Sequence, residues 1–294
     1  MSRPPKQHDY LPSSFENVLT RISDEQKPDV LTTAARPFIK WVGGKRSILP
    51  ELSARMPVTY DGYHEPFIGG GALFFETQPQ KAFLSDVNFH LIITFQVVRD
   101  SVEELIKTLN AHVKGHDKDY FGRARDKIFG EKDPVKIAAL FIYLNKTCYN
   151  GLYRVNKSGR FNVPMGSYKD PAILDADNLR NVSKILQDVD IQQRPFCQTP
   201  VKKGDFYYLD PPYHKTYDGY NGNGFGDSEH EKLAKLCHKI QRIGGYFMLS
   251  NSDTDFVRSL YKGYNIEDVR ASRMVSCKGE QRGKENELII RNYK

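Results

Sequence analysis

The stretch YHEPFIGGGALFF at residues 63–75, followed by AFLSD at residues 82–86, decides how the chain must fold. An apolar run leads into three consecutive glycines, Gly69 to Gly71, and helical spacing resumes through Leu73, Phe74 and Phe75. That is the pattern of a strand, a sharp turn and a helix. Glycine lacks a Cβ, so the backbone can bend tightly there and come close to a ligand. An ordinary tight turn needs the same residues, and the glycines alone are a weak signal. Asp86 adds to them: it closes the next strand 19 residues after Phe67, near the spacing of about 20 at which an acid meets ribose hydroxyls in a nucleoside-binding βαβ unit.

Working outward, further strands are predicted at FYYLD ending at Asp210, YFMLSN ending at Asn251, and ELIIRNY near the C-terminus, with the first strand, YHEPFIG, running to Gly69. Between Asp86 and Asp210 the texture is helical. Ser101 with Glu104 three residues on reads as a capping box for a helix with its stripe at Val102, Leu105, Ile106, Leu109 and Val113. Asp133 and Pro134 open a second helix striped by Ile137, Leu140, Phe141 and Leu144 and ended by Asn150-Gly151. Three parts follow: an N-terminal extension at 1–35, an α/β domain at 36–100 and 195–294, and a mainly helical insertion at 101–194.

Of 294 residues, 39% are hydrophobic and 27% charged, enough apolar surface for a folded chain. No stretch reaches the roughly 18–20 apolar residues of a membrane span, and the first thirty residues lack the apolar core of a secretory signal, so a cytoplasmic protein is expected. Cys148, Cys197, Cys237 and Cys277 lie far apart with no C-x-x-C pair, which suggests neither zinc nor a disulfide framework. His112 and His116 sit four apart without further ligands and are read as solvated helix residues, so no metal is expected. The net charge is +7, and Pro134 to Lys169 contains no acid but carries Lys136, Lys146, Arg154, Lys157, Arg160 and Lys169. A surface of that kind suits a polyanion, although a solvated basic face would look the same.

Two further clusters carry chemistry. Asp210-Pro211-Pro212-Tyr213 follows an aromatic strand, and its prolines remove two backbone donors and fix φ, leaving rigid carbonyls between a carboxylate and a ring. Lys40-Trp41-Val42-Gly43-Gly44-Lys45 places the only tryptophan between two lysines and a double glycine, a wall for a small ligand or core filler.

The order KWVGGK, EPFIGGGALFF, LSDVN, long insertion, YLDPPY, with YNGLYRVN and MLSNS, resembles the Dam-like alpha-group DNA adenine-N6 methyltransferases from about Phe38 to the C-terminus. The resemblance implies a Rossmann-like methyltransferase sheet with an inserted DNA-recognition domain, S-adenosyl-L-methionine as methyl donor, and methylation of N6 of an adenine flipped from duplex DNA, within GATC. It implies that Trp41, Lys45, Phe67, Gly69, Gly71, Asp86 and Asp210 bind the donor. Asp210, Pro211, Pro212 and Tyr213 would serve the chemistry, Tyr213 by stacking on the base. Lys40, Tyr149, Asn150, Leu152 and Arg154 are implied as DNA contacts, with helix-end packing an equal role for Tyr149 and Leu152. A monomer is expected, with room for a cognate restriction endonuclease. N4-cytosine methylation, and sequence-specific DNA binding without catalysis, are the competing functions.

Overall fold

The computed structural model describes residues 34–156, 158–215, 225–272 and 284–294; the extension up to residue 33, Lys157 and Cys277 lie outside them. Its sheet has seven strands: β1 (Tyr63–Glu65), β2 (Ala82–Asp86), β3 (Asp190–Gln193), β4 (Phe206–Leu209), β5 (Tyr246–Ser252), β6 (Asn265–Ser272) and β7 (Lys284–Arg291). They lie in the order β3-β2-β1-β4-β5-β7-β6. The first five pair in parallel and β7 runs antiparallel between β5 and β6.

The period-2 alternation of these strands sorts their side chains onto two cores. Tyr63, Leu84, Phe206, Tyr208, Met248 and Ile289 face one side; Tyr207, Leu209, Phe247, Leu249, Leu288 and Ile290 face the other. Against the first face pack α3 (Phe89–Asp100), α4 (Val102–Lys114), α6 (Pro134–Thr147) and α7 (Ala176–Leu186), with α5 (Lys118–Lys127) docked on α6. Against the second pack α8 (Asp227–Ile243) and α9 (Asp255–Leu260); the short α1 (Leu49–Ser53) and α2 (Ala72–Thr77) bury Leu52, Leu73, Phe74 and Phe75 in the first core.

Several local expectations need correction. β1 stops at Glu65, because Pro66 has no N–H for the ladder. Two strands and one helix carry no legible period. β3 and β6 are edge strands with mostly polar sequences, DIQQ and NIEDVRAS. α3 is apolar on several faces and buries Leu91, Ile92, Thr94, Phe95, Val97 and Val98. The Ser101 helix forms, but the serine hydroxyl makes no cap bond at φ −146, ψ 41. The Asp133 cap forms as read, its carboxylate accepting from Val135 N at 2.9 Å and Lys136 N at 3.2 Å. His112 is buried and His116, just past the end of α4, half-buried; their Nδ1 atoms bond the hydroxyls of Tyr120 at 2.6 Å and Tyr143 at 2.9 Å. Among the described residues no cluster of His, Cys, Asp or Glu is arranged to hold a metal, and no helix is long and apolar enough to cross a membrane.

Strand order reverses between β1 and β4, since the chain leaves β1 toward β2 and leaves β4 toward β5. In an open parallel sheet that switch point leaves a crevice at the carboxyl ends of the strands. Glu65–Gly71 and Asp210–Tyr213 emerge there.

Candidate active site

The switch point brings the KWVGGK turn onto the DPPY loop. Lys45 Nζ forms an ion pair with Asp210 Oδ1 at 2.8 Å and donates to Gly43 O at 2.5 Å. The same ammonium lies 4.7 Å from the centre of the Tyr213 ring. Burial raises the Asp210 carboxyl to about 6, and Lys45 opposes the rise.

Two further carboxyls join them. Glu65, 2% exposed at the end of β1, accepts from Tyr63 Oη at 2.6 Å, and burial raises it to about 8. Glu287, buried on β7, accepts from Tyr213 Oη at 2.8 Å. Three carboxyls thus gather near the Lys45–Tyr213 contact, and Glu65, which holds its proton to about 8, is the neutral one at pH 7. Glu65 stood inside the quoted motif but was not singled out, because the strand was expected to run on to Gly69. Glu287 had no such signal, since only the pairing of β7 across β5 carries it to Tyr213.

The DPPY loop is held from behind by His214. Its N–H donates to Asn251 Oδ1 at 3.1 Å and its carbonyl accepts from Ser252 Oγ at 2.7 Å. Its ring lies 2.9 Å from Thr254 Oγ1 and 3.1 Å from Asp227 Oδ1. Pro211 is buried and Pro212 half-buried between these anchors.

On the other side of the crevice, Trp41 covers the glycine turn. Gly69 has φ +46, and a Cβ there would stand 2.6 Å from Trp41 Cδ1. Gly71, at φ +68, opens α2. Asp86 accepts from Asn88 N at 3.0 Å and Gly69 N at 3.4 Å, and burial raises it to about 6. Phe67 points away from Trp41 into an aromatic cluster with Phe196 at 5.3 Å and Phe225 at 5.9 Å, neither of which belonged to a sequence motif.

The loop after α6 forms a 3-10 turn, Tyr149–Gly151, in which Asn150 takes φ +54. Tyr149 and Asn150 are exposed, whereas Leu152 is half-buried against the core. Arg154 Nε donates to Asn162 Oδ1 at 2.7 Å. Asn145, buried in α6, clamps this loop to the KWVGGK turn: its amide accepts from Lys40 N at 2.8 Å and donates to Lys40 O at 2.7 Å and Gly151 O at 3.1 Å. Lys40 Nζ lies exposed over the Tyr168 ring at 4.2 Å. Burial and the nearby charges of Lys40, Arg46 and Arg36 lower Lys146 to about 8, against the opposing pull of Asp175.

Comparison with known proteins matches residues 41–275 to the D12 class N6 adenine-specific DNA methyltransferases. The chain is 41% identical to the Type II methyltransferase M.MjaIII of Methanocaldococcus jannaschii, over 88% of this chain and 99% of that protein. It is 38% identical to the Type II methyltransferase M1.LlaDCHI of Lactococcus lactis subsp. cremoris, over 88% and 95%. It is 33% identical to the DNA adenine methylase of Haemophilus influenzae, over 86% and 92%. Adenine N6 is thereby favoured over cytosine N4 and over DNA binding without catalysis, and with the carboxylate, the rigid loop and the glycine turn meeting at one switch point the chain belongs to the D12 class N6 adenine-specific DNA methyltransferase family.

Proposed function

We propose that this enzyme takes its methyl group from S-adenosyl-L-methionine and places it on N6 of a flipped adenine within GATC in duplex DNA. The observation that supports it best is the Lys45–Asp210 pair, which sets a carboxylate and the Tyr213 ring at the mouth of the glycine turn. The residues fit the donor. The glycine turn packs its backbone directly under Trp41, Asp86 offers a carboxylate to a diol, and Asp210 supplies negative charge for a cation. Trp41, Lys45, Phe67, Gly69, Gly71, Asp86 and Asp210 would hold it.

When bound, the donor supplies an electrophilic methyl group on a sulfonium. The chain's own groups prepare the amine. Adenine N6 is a poor nucleophile because its lone pair is spread into the ring. Asp210, ionised beside Lys45, accepts one N6 hydrogen and the Pro211 carbonyl accepts the other, which frees the lone pair. Fixed acceptors stabilise the positive charge where it arrives at nitrogen, and Asp210 is placed to take the proton that leaves. Pro212 keeps the loop rigid, and Tyr213 stacks on the base, offsetting about 1–3 kcal/mol of the flipping cost. Residues 101–194 act as the recognition module, with Lys40, Tyr149, Asn150, Leu152 and Arg154 toward DNA. The enzyme works as a cytoplasmic monomer, alone or beside a cognate restriction endonuclease.

Plasmid incubated with the protein and S-adenosyl-L-methionine is expected to resist a nuclease that cuts only unmethylated GATC. Incorporation of label into adenine without that protection would reject GATC while leaving the reaction standing.

A further inference from the structure

One side chain of the loop after α6 touches both walls of the crevice. The Tyr153 ring lies parallel to Trp41, with centroids 6.3 Å apart and planes at 17°. Its hydroxyl is 3.2 Å from His90 Nδ1 and bonds the Asn88 side chain. Trp41 covers Gly69, and Asn88 N is the donor that fixes Asp86. The ring is backed by Phe141 at 5.5 Å and Phe161 at 5.9 Å, so it cannot shift without moving the loop.

We infer that Tyr153 is a positioning residue coupling the methyl-donor pocket to the loop Tyr149–Arg154, so that donor and duplex DNA each tighten the binding of the other. The inference rests on reading the crevice as the donor site and the loop as a DNA contact. A ligand shifts a conformational equilibrium only through groups whose contacts differ between states. Occupancy of the crevice orders Trp41 and the Asp86–Asn88 turn, the two surfaces on which Tyr153 rests, and leaves less of the loop to be ordered when DNA arrives. The effect is reciprocal, because both ligands bias one element. Asn145 holds the loop backbone to Lys40 whether or not the crevice is filled. Tyr153 alone reaches from the loop to both walls.

The test measures the dissociation constant of a duplex that the wild-type protein methylates, with and without saturating sinefungin, a donor analogue that cannot transfer. Wild type is expected to bind DNA at least about fivefold tighter with sinefungin, the lower end of common couplings. Tyr153→Leu brings that ratio to within about twofold of one while each ligand alone binds within about threefold of wild type, a split that a general loss of structure would not give. Tyr153→Phe keeps the stack, loses the hydroxyl and falls between; it carries the test if the leucine variant fails to fold. A wild-type ratio of one, or a ratio unchanged in both variants, overturns the coupling. Wild-type protein that methylates DNA but does not bind sinefungin overturns the pocket reading itself, and the coupling with it.

Discussion

Burial pushes Asp210 up to about 6 while the Lys45 ammonium 2.8 Å away holds it down, so near neutral pH the carboxylate is ionised with little margin. An acceptor must be ionised, and kcat at saturating DNA and donor is therefore expected to fall about tenfold per unit as pH drops below 6. Asp210→Asn removes the charge and keeps the shape. It should cut kcat by about 10²–10³ and leave duplex affinity within about threefold; near wild-type turnover would refute the role. Gly69→Ala is tested by binding: its φ of +46 and the indole 2.6 Å from a new Cβ force Trp41 aside, and a loss of about tenfold or more in sinefungin affinity is expected. At this scale the sequence was legible wherever chemistry is packed into a short motif, as at Asp210, Gly69 and Trp41. Glu287 stayed hidden because its meeting with Tyr213 depends on strand register across 74 residues, which no local pattern encodes.

Helix α6 delivers the loop Tyr149–Arg154, and its first turn is secured by the two bonds to the Asp133 carboxylate. Asp133→Ala is expected to lower the melting temperature by about 2–4 °C, whereas Ser101→Ala, which breaks no cap bond, should change it by less than about 1 °C. Equal losses in the two variants would show that the cap geometry is not what differs. The pair also explains which elements could be read in advance. The Asp133-Pro134 start makes α6 visible even though the helix is buried without a break from Ile137 to Asn145, and α4 follows from its stripe even though its serine is idle. α3 escapes because burial on several faces erases the amphipathic contrast, and β3 and β6 escape because an edge strand needs few apolar residues to hold its place. What stayed unread in α3, β3 and β6 was decided by tertiary contact.

Across the whole molecule, buried acids set the response to pH. The unfolded Glu65 carboxyl ionises near its ordinary value of 4.5, but the folded one keeps its proton to about 8, so the native state binds more protons and loses stability as pH rises between them. His230, lowered to about 4 by burial, acts in the opposite sense and is complete by about pH 6.5. The ligand-free protein should therefore melt at progressively lower temperature from pH 6.5 to 8, and Glu65→Gln should flatten that decline; an identical slope in both proteins would discount Glu65. Net charge of +7 and the exposed Lys40 predict duplex affinity that falls steeply with salt, about a thousandfold between 50 and 200 mM for a footprint of some six phosphates. A flat response would reject the basic face. β2 and β3, the latter inside the stretch 101–194 expected as an insertion, are immediate parallel neighbours in the sheet. The chain therefore leaves at the carboxyl end of β2 and re-enters at the amino end of β3, a crossover of about 10 Å along the strands. A replacement of almost any length can be spliced between those two ends without disturbing the chemistry, provided it brings its own α3 to seal the sheet beneath it. On the recognition role proposed above for residues 101–194, exchange of that stretch would change the target word and leave the strands that carry Asp210 in place.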